Sequence, residues 1–203
     1  MRILAIETAT EACSVALFEN GALVDARHEV LGRGHAERLV PMIAELPDKG
    51  RAKEIRVSLG PGSFTGVRIG VAVARALGMA WQARVRGYPT LALVAAMARG
   101  DSEACVTVCM NGGHGEWFVQ DFAGDGLPID AVASLTPDVA AKRRLRTVLA
   151  GSRAEDLALR AGAGRHAVTL PDARSALNLP ASILTDSIAP LYGRAPDAKL
   201  PGR

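Results

Sequence analysis

Apolar and polar positions recur along this chain with a period that changes, and each change marks an element. Ile3–Ile6 is an apolar run, Cys13–Phe18 is a second, and Ala22–Val30 follows the dipeptide Asn20-Gly21. That dipeptide favours a tight hairpin, so the pattern predicts an antiparallel meander of three strands over residues 2–31. A Rossmann domain would send its first strand straight into a helix, which argues against that fold. Residues 35–46 switch to helical spacing, with Ala36, Leu39, Val40, Ile43 and Leu46 on one face and Glu37, Arg38 and Glu45 on the other. Pro41 falls inside this helix and predicts a kink, at a cost of up to ~3 kcal/mol where a backbone bond is lost.

After the connection Pro47-Asp48-Lys49-Gly50, Ile55, Val57 and Leu59 alternate with Arg56 and Ser58 as a strand. The strand runs into Gly60-Pro61-Gly62-Ser63-Phe64-Thr65-Gly66 and then a long helix to about Gln82. Thr90 is placed to cap a further helix that Gly100 closes. Residues 1–100 read as one lobe and 101–203 as a second, shorter one. In the second, Ala104–Met110 and Glu116–Phe122 predict a hairpin around Asn111–Gly115, and Thr136-Pro137-Asp138 a helix start. Thr147–Ala150 reads as a strand, and Ser152 as the cap of a short helix through Ala161. No internal repeat or low-complexity tract is visible.

Composition narrows the class without choosing a function. Of 203 residues 49% are apolar and 22% charged, which is globular rather than disordered. No apolar run reaches the ~20 residues of a bilayer span. The run Ile3–Ile6 meets Glu7 at once, too short for a signal peptide, and the expectation is a cytoplasmic protein. Cys13, Cys105 and Cys109 each sit in apolar stretches and read as reduced, buried side chains rather than disulfides or metal ligands. The net charge of +3 is compatible with a nucleic-acid partner and does not call for one.

The chemistry-bearing patterns are few. The loop Gly60–Gly66 resembles an anion cradle in layout, but no Gly-Lys-Ser/Thr follows, so the lysine and magnesium roles of a P-loop are vacant. Ser63 or Thr65 is placed to cap the helix instead. Along that helix Gly66, Gly70, Ala74 and Gly78 recur every fourth residue, and Ala72, Ala76 and Ala80 form a second small stripe. Each interior glycine costs roughly 0.5–1 kcal/mol relative to alanine, which close packing must offset. Spacing leaves two readings open: packing within the chain, or an interface between subunits. Glu7 and Ala9 stand where an actin-like ATPase would have Asp and Gly, which argues against close phosphate approach. No two of His28, His35, His114 and His166 pair at metal-binding spacing, and no Gly-x-Ser-x-Gly elbow is present. His114-Gly-Glu116 reads as a solvated turn, and Lys142–Arg146 as the basic end of a helix.

Taken together, Met1–Leu17, His35 with its helix, Gly60–Gly70, and the tail Pro190-Leu-Tyr192-Gly-Arg194 ending in Lys199–Gly202 resemble the TsaB (YeaZ) family. The resemblance covers the first hundred residues almost throughout, and Pro61, Gly62, Ser63, Phe64, Thr65 and Arg68 carry its most specific motif. It implies an α/β, ASKHA (actin-like) two-lobed fold with mixed sheets. It also implies a non-catalytic scaffold, without metal or cofactor, that binds TsaD. TsaD transfers threonylcarbamoyl to the adenosine 3′ of the anticodon in tRNAs reading ANN codons. TsaE, an ATPase, would join the pair, and tRNA would be met only through the complex. Under this resemblance both helices form the interface, through His35, Leu39 and Ile43 and through the Gly66, Gly70, Ala74, Gly78 stripe. The first helix lacks the His-x-x-x-His pair of TsaD, since Leu39 follows His35 by four. Glu7 replaces the family's usual Asp, and Asn111-Gly112-Gly113 its Asp-Ala-Arg. The alternatives are a homodimer through the same helices, and a metal-independent hydrolase, protease-like or nucleotide-binding activity of the chain alone.

Overall fold

Strand β1 (Arg2–Glu7) is buried along almost its whole length in the computed structural model, which describes residues 1–100, 102–162, 165–167 and 169–194. Burial on both faces explains why its sequence is a continuous apolar run. Leu4 and Ile6 point to one side with Leu39, Ile43, Val67 and Val71. Ile3 and Ala5 point to the other, with Phe18, Ala173 and Ala176. β2 (Ala12–Glu19) and β3 (Ala22–Val30) complete the expected meander, and Asn20 (φ 51°) and Gly21 (φ 86°) make its turn. β4 (Glu54–Ser58) and β5 (Arg84–Tyr88) extend the other edge of β1 in parallel, giving the order β3-β2-β1-β4-β5.

Helices α1 (His35–Ala44) and α2 (Phe64–Trp81) both pack on the Leu4/Ile6 face. The helix α1 continues through Pro41, and the Glu45 amide still reaches the Pro41 carbonyl at 3.0 Å. Proline lacks the amide that the Glu37 carbonyl would accept; both residues are exposed, where water replaces the missing donor. Ser63 caps α2 by accepting the Gly66 amide at 3.2 Å. Thr90 does not cap α3 (Thr90–Arg99); it lies inside the helix with its hydroxyl 2.6 Å from that of Ser58.

The second sheet repeats this plan. β6 (Val106–Gly113), β7 (Glu116–Phe122) and β8 (Ala133–Leu135) are antiparallel, while β9 (Val148–Ala150) and β10 (Arg165–Ala167) extend β6 in parallel. The order β8-β7-β6-β9-β10 is that of the first sheet, element for element. α4 (Pro137–Ala141) and α5 (Ala154–Ala161) cover one face. The chain therefore holds a topological duplication that its sequence does not display.

Three expectations change here. The cores do not divide at residue 101. Leu91 and Val94 of α3 pack on Val106, Val108 and Phe122 of the second sheet, while the short turn Ala173–Asn178 returns to cover the first. Each sheet has one face its own helices leave bare, and the other half of the chain fills it. The basic cluster is not helical: α4 stops at Ala141, and Arg143 pairs with Asp130 and Arg146 with the buried Asp121. Ser152 precedes α5 without capping it and accepts the Asn111 amide instead, at 3.1 Å. Among the described residues no helix is long and apolar enough to cross a membrane.

Tyr88, fully buried at the end of β5, donates its hydroxyl to the Ile6 carbonyl at 2.9 Å. Tyr88→Phe is expected to cost about 1–2 kcal/mol, read as a lower denaturant midpoint with an unchanged slope.

Candidate functional site

The small-residue stripe of α2 faces its own sheet. A Cβ built on Gly66 would overlap the Thr8 carbonyl oxygen, one on Gly70 the Thr8 hydroxyl, and one on Gly78 the Val85 side chain. Ala74 is fully buried in the same core. The glycines let a helix backbone settle against β1, β4 and β5 at a distance no larger residue permits. The expected assignment of Gly66, Gly70, Ala74 and Gly78 to a partner is therefore corrected. The same holds for His35, Leu39 and Ile43, which are buried under α1; His35 Nε2 lies 3.3 Å from the Ala12 carbonyl. What α2 turns outward is the second stripe, Ala72, Ala76 and Ala80, with Met79 at 85% exposure. On α1 the outward positions are Ala36, Glu37, Val40, Pro41 and Ala44.

The 60–66 loop divides its roles. Pro61 is buried; Gly62 sits against the Ala9 carbonyl, which accepts the Ser63 amide at 2.7 Å. Thr65 is exposed on the first turn of α2. Phe64 and Arg68 turn toward the tail: the Arg68 guanidinium carbon lies 3.6 Å from the Phe64 ring centroid, and Nη2 donates to the Tyr192 hydroxyl at 3.1 Å. The tail segment 191–194 ties the two lobes. The Leu191 amide donates to the Leu59 carbonyl at 2.7 Å, Gly193 lies against the Phe118 ring, and Arg194 reaches His114 at 2.7 Å and Glu116 at 3.5 Å. Lys199–Gly202, also part of the sequence motif, lies outside the described residues.

These pieces enclose a cleft of about 880 Å³ between the lobes. Its walls are the β1–β2 turn, the start of α2, the β6–β7 hairpin and the tail, so the divergent Asn111-Gly112-Gly113 turn forms part of it. Sequence reading singled out the loop and the hairpin separately but not the tail's part or those of Thr10 and Ser152. Their joining depends on contacts between residues from 41 to 124 positions apart, for which no local signal exists.

Glu7 ends β1 just behind this turn, fully buried, with Oε1 accepting the Ala9 amide at 2.7 Å and Oε2 without a partner. Burial outweighs the opposing hydrogen bonding from the Ala9 amide, the Ser58 hydroxyl and the Thr8 backbone and pushes its pKa up to about 7. The unfolded chain releases this proton near 4.5, so between there and pH 7 the folded state holds more protons. Stability falls as pH rises through this window and levels off above it. Glu7→Gln carries no such proton. Its stability relative to the native chain is expected to improve by about 3 kcal/mol between pH 4.5 and pH 8, measured by urea unfolding across that range. A parallel pH dependence in both proteins would exclude the assignment.

The turn amides that a phosphate would need are used internally: Ala9 donates to Glu7, and Ala12 to the Thr10 hydroxyl at 3.2 Å. The carbonyls of Thr8 and Ala9 face Gly66 and Gly62. This arrangement does not fit a magnesium–triphosphate, and among the described residues no three His, Cys, Asp or Glu side chains gather as a metal site.

Comparison with known proteins places the chain among relatives of one family. A family model described as TsaD, tRNA N6-adenosine threonylcarbamoyltransferase, matches residues 26–186. The tRNA threonylcarbamoyladenosine biosynthesis protein TsaB of Escherichia coli is 36% identical over 153 residues, 70% of this chain and 66% of that protein, just short of two thirds of its length. The solved structure of YeaZ from Pseudomonas aeruginosa superposes with a TM-score of 0.79 at 27% identity, covering 94% of this chain and 99% of that one. The ethanolamine utilization protein EutJ from Carboxydothermus hydrogenoformans shares the fold alone, with a TM-score of 0.51 at 11% identity over 88% and 89% of the two chains.

Proposed function

The chain belongs to the TsaB (YeaZ) family, and from that premise we propose that it is a non-catalytic subunit for threonylcarbamoylation of tRNA, acting by docking onto a TsaD-type transferase. The observation that carries this reading is the outward face of the α1–α2 pair. Both helices spend their best packing residues on their own sheet, yet α2 still presents alanine at three successive turns, beside a methionine 85% exposed. A helix face of small residues admits a second helix closely, and methionine adapts to the surface it meets. Val40, half exposed on α1, adds to the apolar area. TsaE and tRNA then approach through the pair, and a homodimer through this face competes with it when the transferase is absent.

Support for a non-catalytic role comes from the turn after β1. Glu7 is buried and bonded to its own turn. The test is to mix the full chain with TsaD from the same organism and follow the pair by size-exclusion chromatography with light scattering. A stable heteromeric peak, and tRNA threonylcarbamoylation only when both proteins are present, is the expected result. Separate elution at ~10 μM, well above the Kd of a specific complex of standard size, would defeat the proposal.

A further inference from the structure

We propose that the end of the first lobe where β1, β4 and β5 begin holds the phosphate backbone of RNA directly. The proposal rests on the reading above for which RNA is offered. The contact itself follows from how charges are matched at this end. Sheet register sets Arg2, Lys53 and Arg84 side by side. The Lys53 amide donates to the Arg2 carbonyl at 3.1 Å, and the Arg84 amide to the Lys53 carbonyl at 3.0 Å. Just before β4, Lys49, Arg51 and Lys53 are exposed and alternate with buried Gly50, Ala52 and Glu54. The buried members pin the segment, and Gly50 lies against the Ile43 side chain and carbonyl at the end of α1. Three cations are thus carried outward on a fixed turn.

The acids nearby are already taken. Arg2 pairs with Glu19 and Asp48, and buried Glu54 pairs with Arg56 at 2.8 Å. Arg84 grips Asp186 through Nε at 2.9 Å and Nη2 at 2.7 Å. Lys49, Arg51 and Lys53 have no acid partner among the described residues, and the second acid on Arg2 offsets at most one of them. Arg86, two residues along β5, adds a guanidinium that donates to the carbonyls of Ala181 and Leu184. Neighbouring strand ends lie about 4.8 Å apart, so this surplus forms a row. A row of cations fits a polymer whose negative charges are as close and regular as those of a nucleic-acid backbone. A membrane surface would need an apolar anchor beside the charges, and residues 47–53 expose no large apolar side chain. Both docking helices end at this edge, α1 at Ala44 before the turn and α2 at Trp81 before Arg84. RNA held by a transferase on the α1–α2 face can therefore run on to it.

The test is fluorescence anisotropy of a labelled tRNA transcript titrated with the full chain alone, at about 50 and about 200 mM salt. The expected Kd at the lower salt is about 0.1 mM or below. Lys49→Gln, Arg51→Gln and Lys53→Gln combined should weaken binding by about tenfold or more and reduce the salt slope by about 2–3. The melting temperature and the heteromeric peak with TsaD should both be kept. Lys142→Gln with Arg144→Gln, exposed cations of the second lobe, should change affinity by no more than about twofold. No binding by ~1 mM protein, native affinity in the triple variant, or an equal loss in the second-lobe variant overturns the proposal. So does tighter binding to phosphatidylserine vesicles than to tRNA. A lowered melting temperature with tRNA affinity intact also overturns it, and assigns these cations to the C-terminal dipoles of α1 and α2. The titration needs no TsaD, so a missing heteromeric peak defeats the docking reading and not this contact.

Discussion

Gly66→Val is expected to leave the chain unable to fold, recovered as insoluble protein where the native chain is soluble. The position lies in the first turn of α2, where a Cβ would overlap the backbone oxygen of Thr8. A side chain at the far end of a flexible stem can move aside, but this obstacle is main chain. Thr8 is itself fixed, because its hydroxyl donates to the Gly66 carbonyl at 2.8 Å and its neighbours are buried. Valine would force α2 off the sheet, separating Val67, Val71 and Ala74 from Leu4, Ile6 and Val57. Overpacking of a rigid core costs typically 1–3 kcal/mol, and losing the packing of a whole helix exceeds that. Against a total stability of about 5–15 kcal/mol the native state does not survive. Circular dichroism of the refolded material checks this. A cooperative melt within a few degrees of the native one would show that the stripe is not a packing seam.

Ala76→Glu is expected to do the reverse, preserving the fold and destroying association with TsaD. Ala76 is exposed, one turn from Ala72 and Ala80 and beside Met79. Exposed substitutions on a helix change stability by no more than about 0.5 kcal/mol, so the melting temperature should hold. At a close helix–helix contact the same residue buries an unpaired carboxylate, which weakens binding by roughly 100-fold or more. Titration calorimetry or co-elution at micromolar concentration reads the difference. Retained binding by Ala76→Glu would move the interface off this face, whatever the partner. Together the two variants separate the stripes that a helical wheel shows side by side: one holds the lobe together, the other is free to meet a partner.

That separation shows where sequence reading stops. Small residues every four positions announce that something approaches α2 closely, because only that offsets the helix cost of glycine. They do not say whether the approaching surface is in the same chain. The answer depends on the rotation of α2 about its axis, set by Val67 and Val71 entering the core. The same limit explains His35, Leu39 and Ile43. Their spacing predicted one helix face, correctly, and that face is inward.

Local rules were sufficient for most elements. Period-two and period-3.6 patterns, the Asn20-Gly21 turn and the Ser63 cap are decided by neighbours within a few residues, so the meander, α1, α2 and the β6–β7 hairpin could be read directly. Pro41 lies inside α1 without ending it, since a helix tolerates proline where the orphaned carbonyl meets water. The basic run 142–146 was read as helix because its charges fit a helix end, but Arg143 and Arg146 are drawn to Asp130 and Asp121 across the sheet.

The amino-acid sequence by itself determined most of the strands and helices, the α/β class and the family, because these follow from local periodicity and from a motif specific in its own residues. Only the tertiary structure decided which face of each helix is free, how the second sheet repeats the order of the first, and that the β1–β2 turn, the 60–66 loop, the hairpin and the tail enclose one cleft. Those facts depend on contacts such as Leu191 to Leu59 and Arg194 to His114, between residues distant along the chain. Their energies come from shared burial and from hydrogen bonds that exist only once the chain has closed on itself.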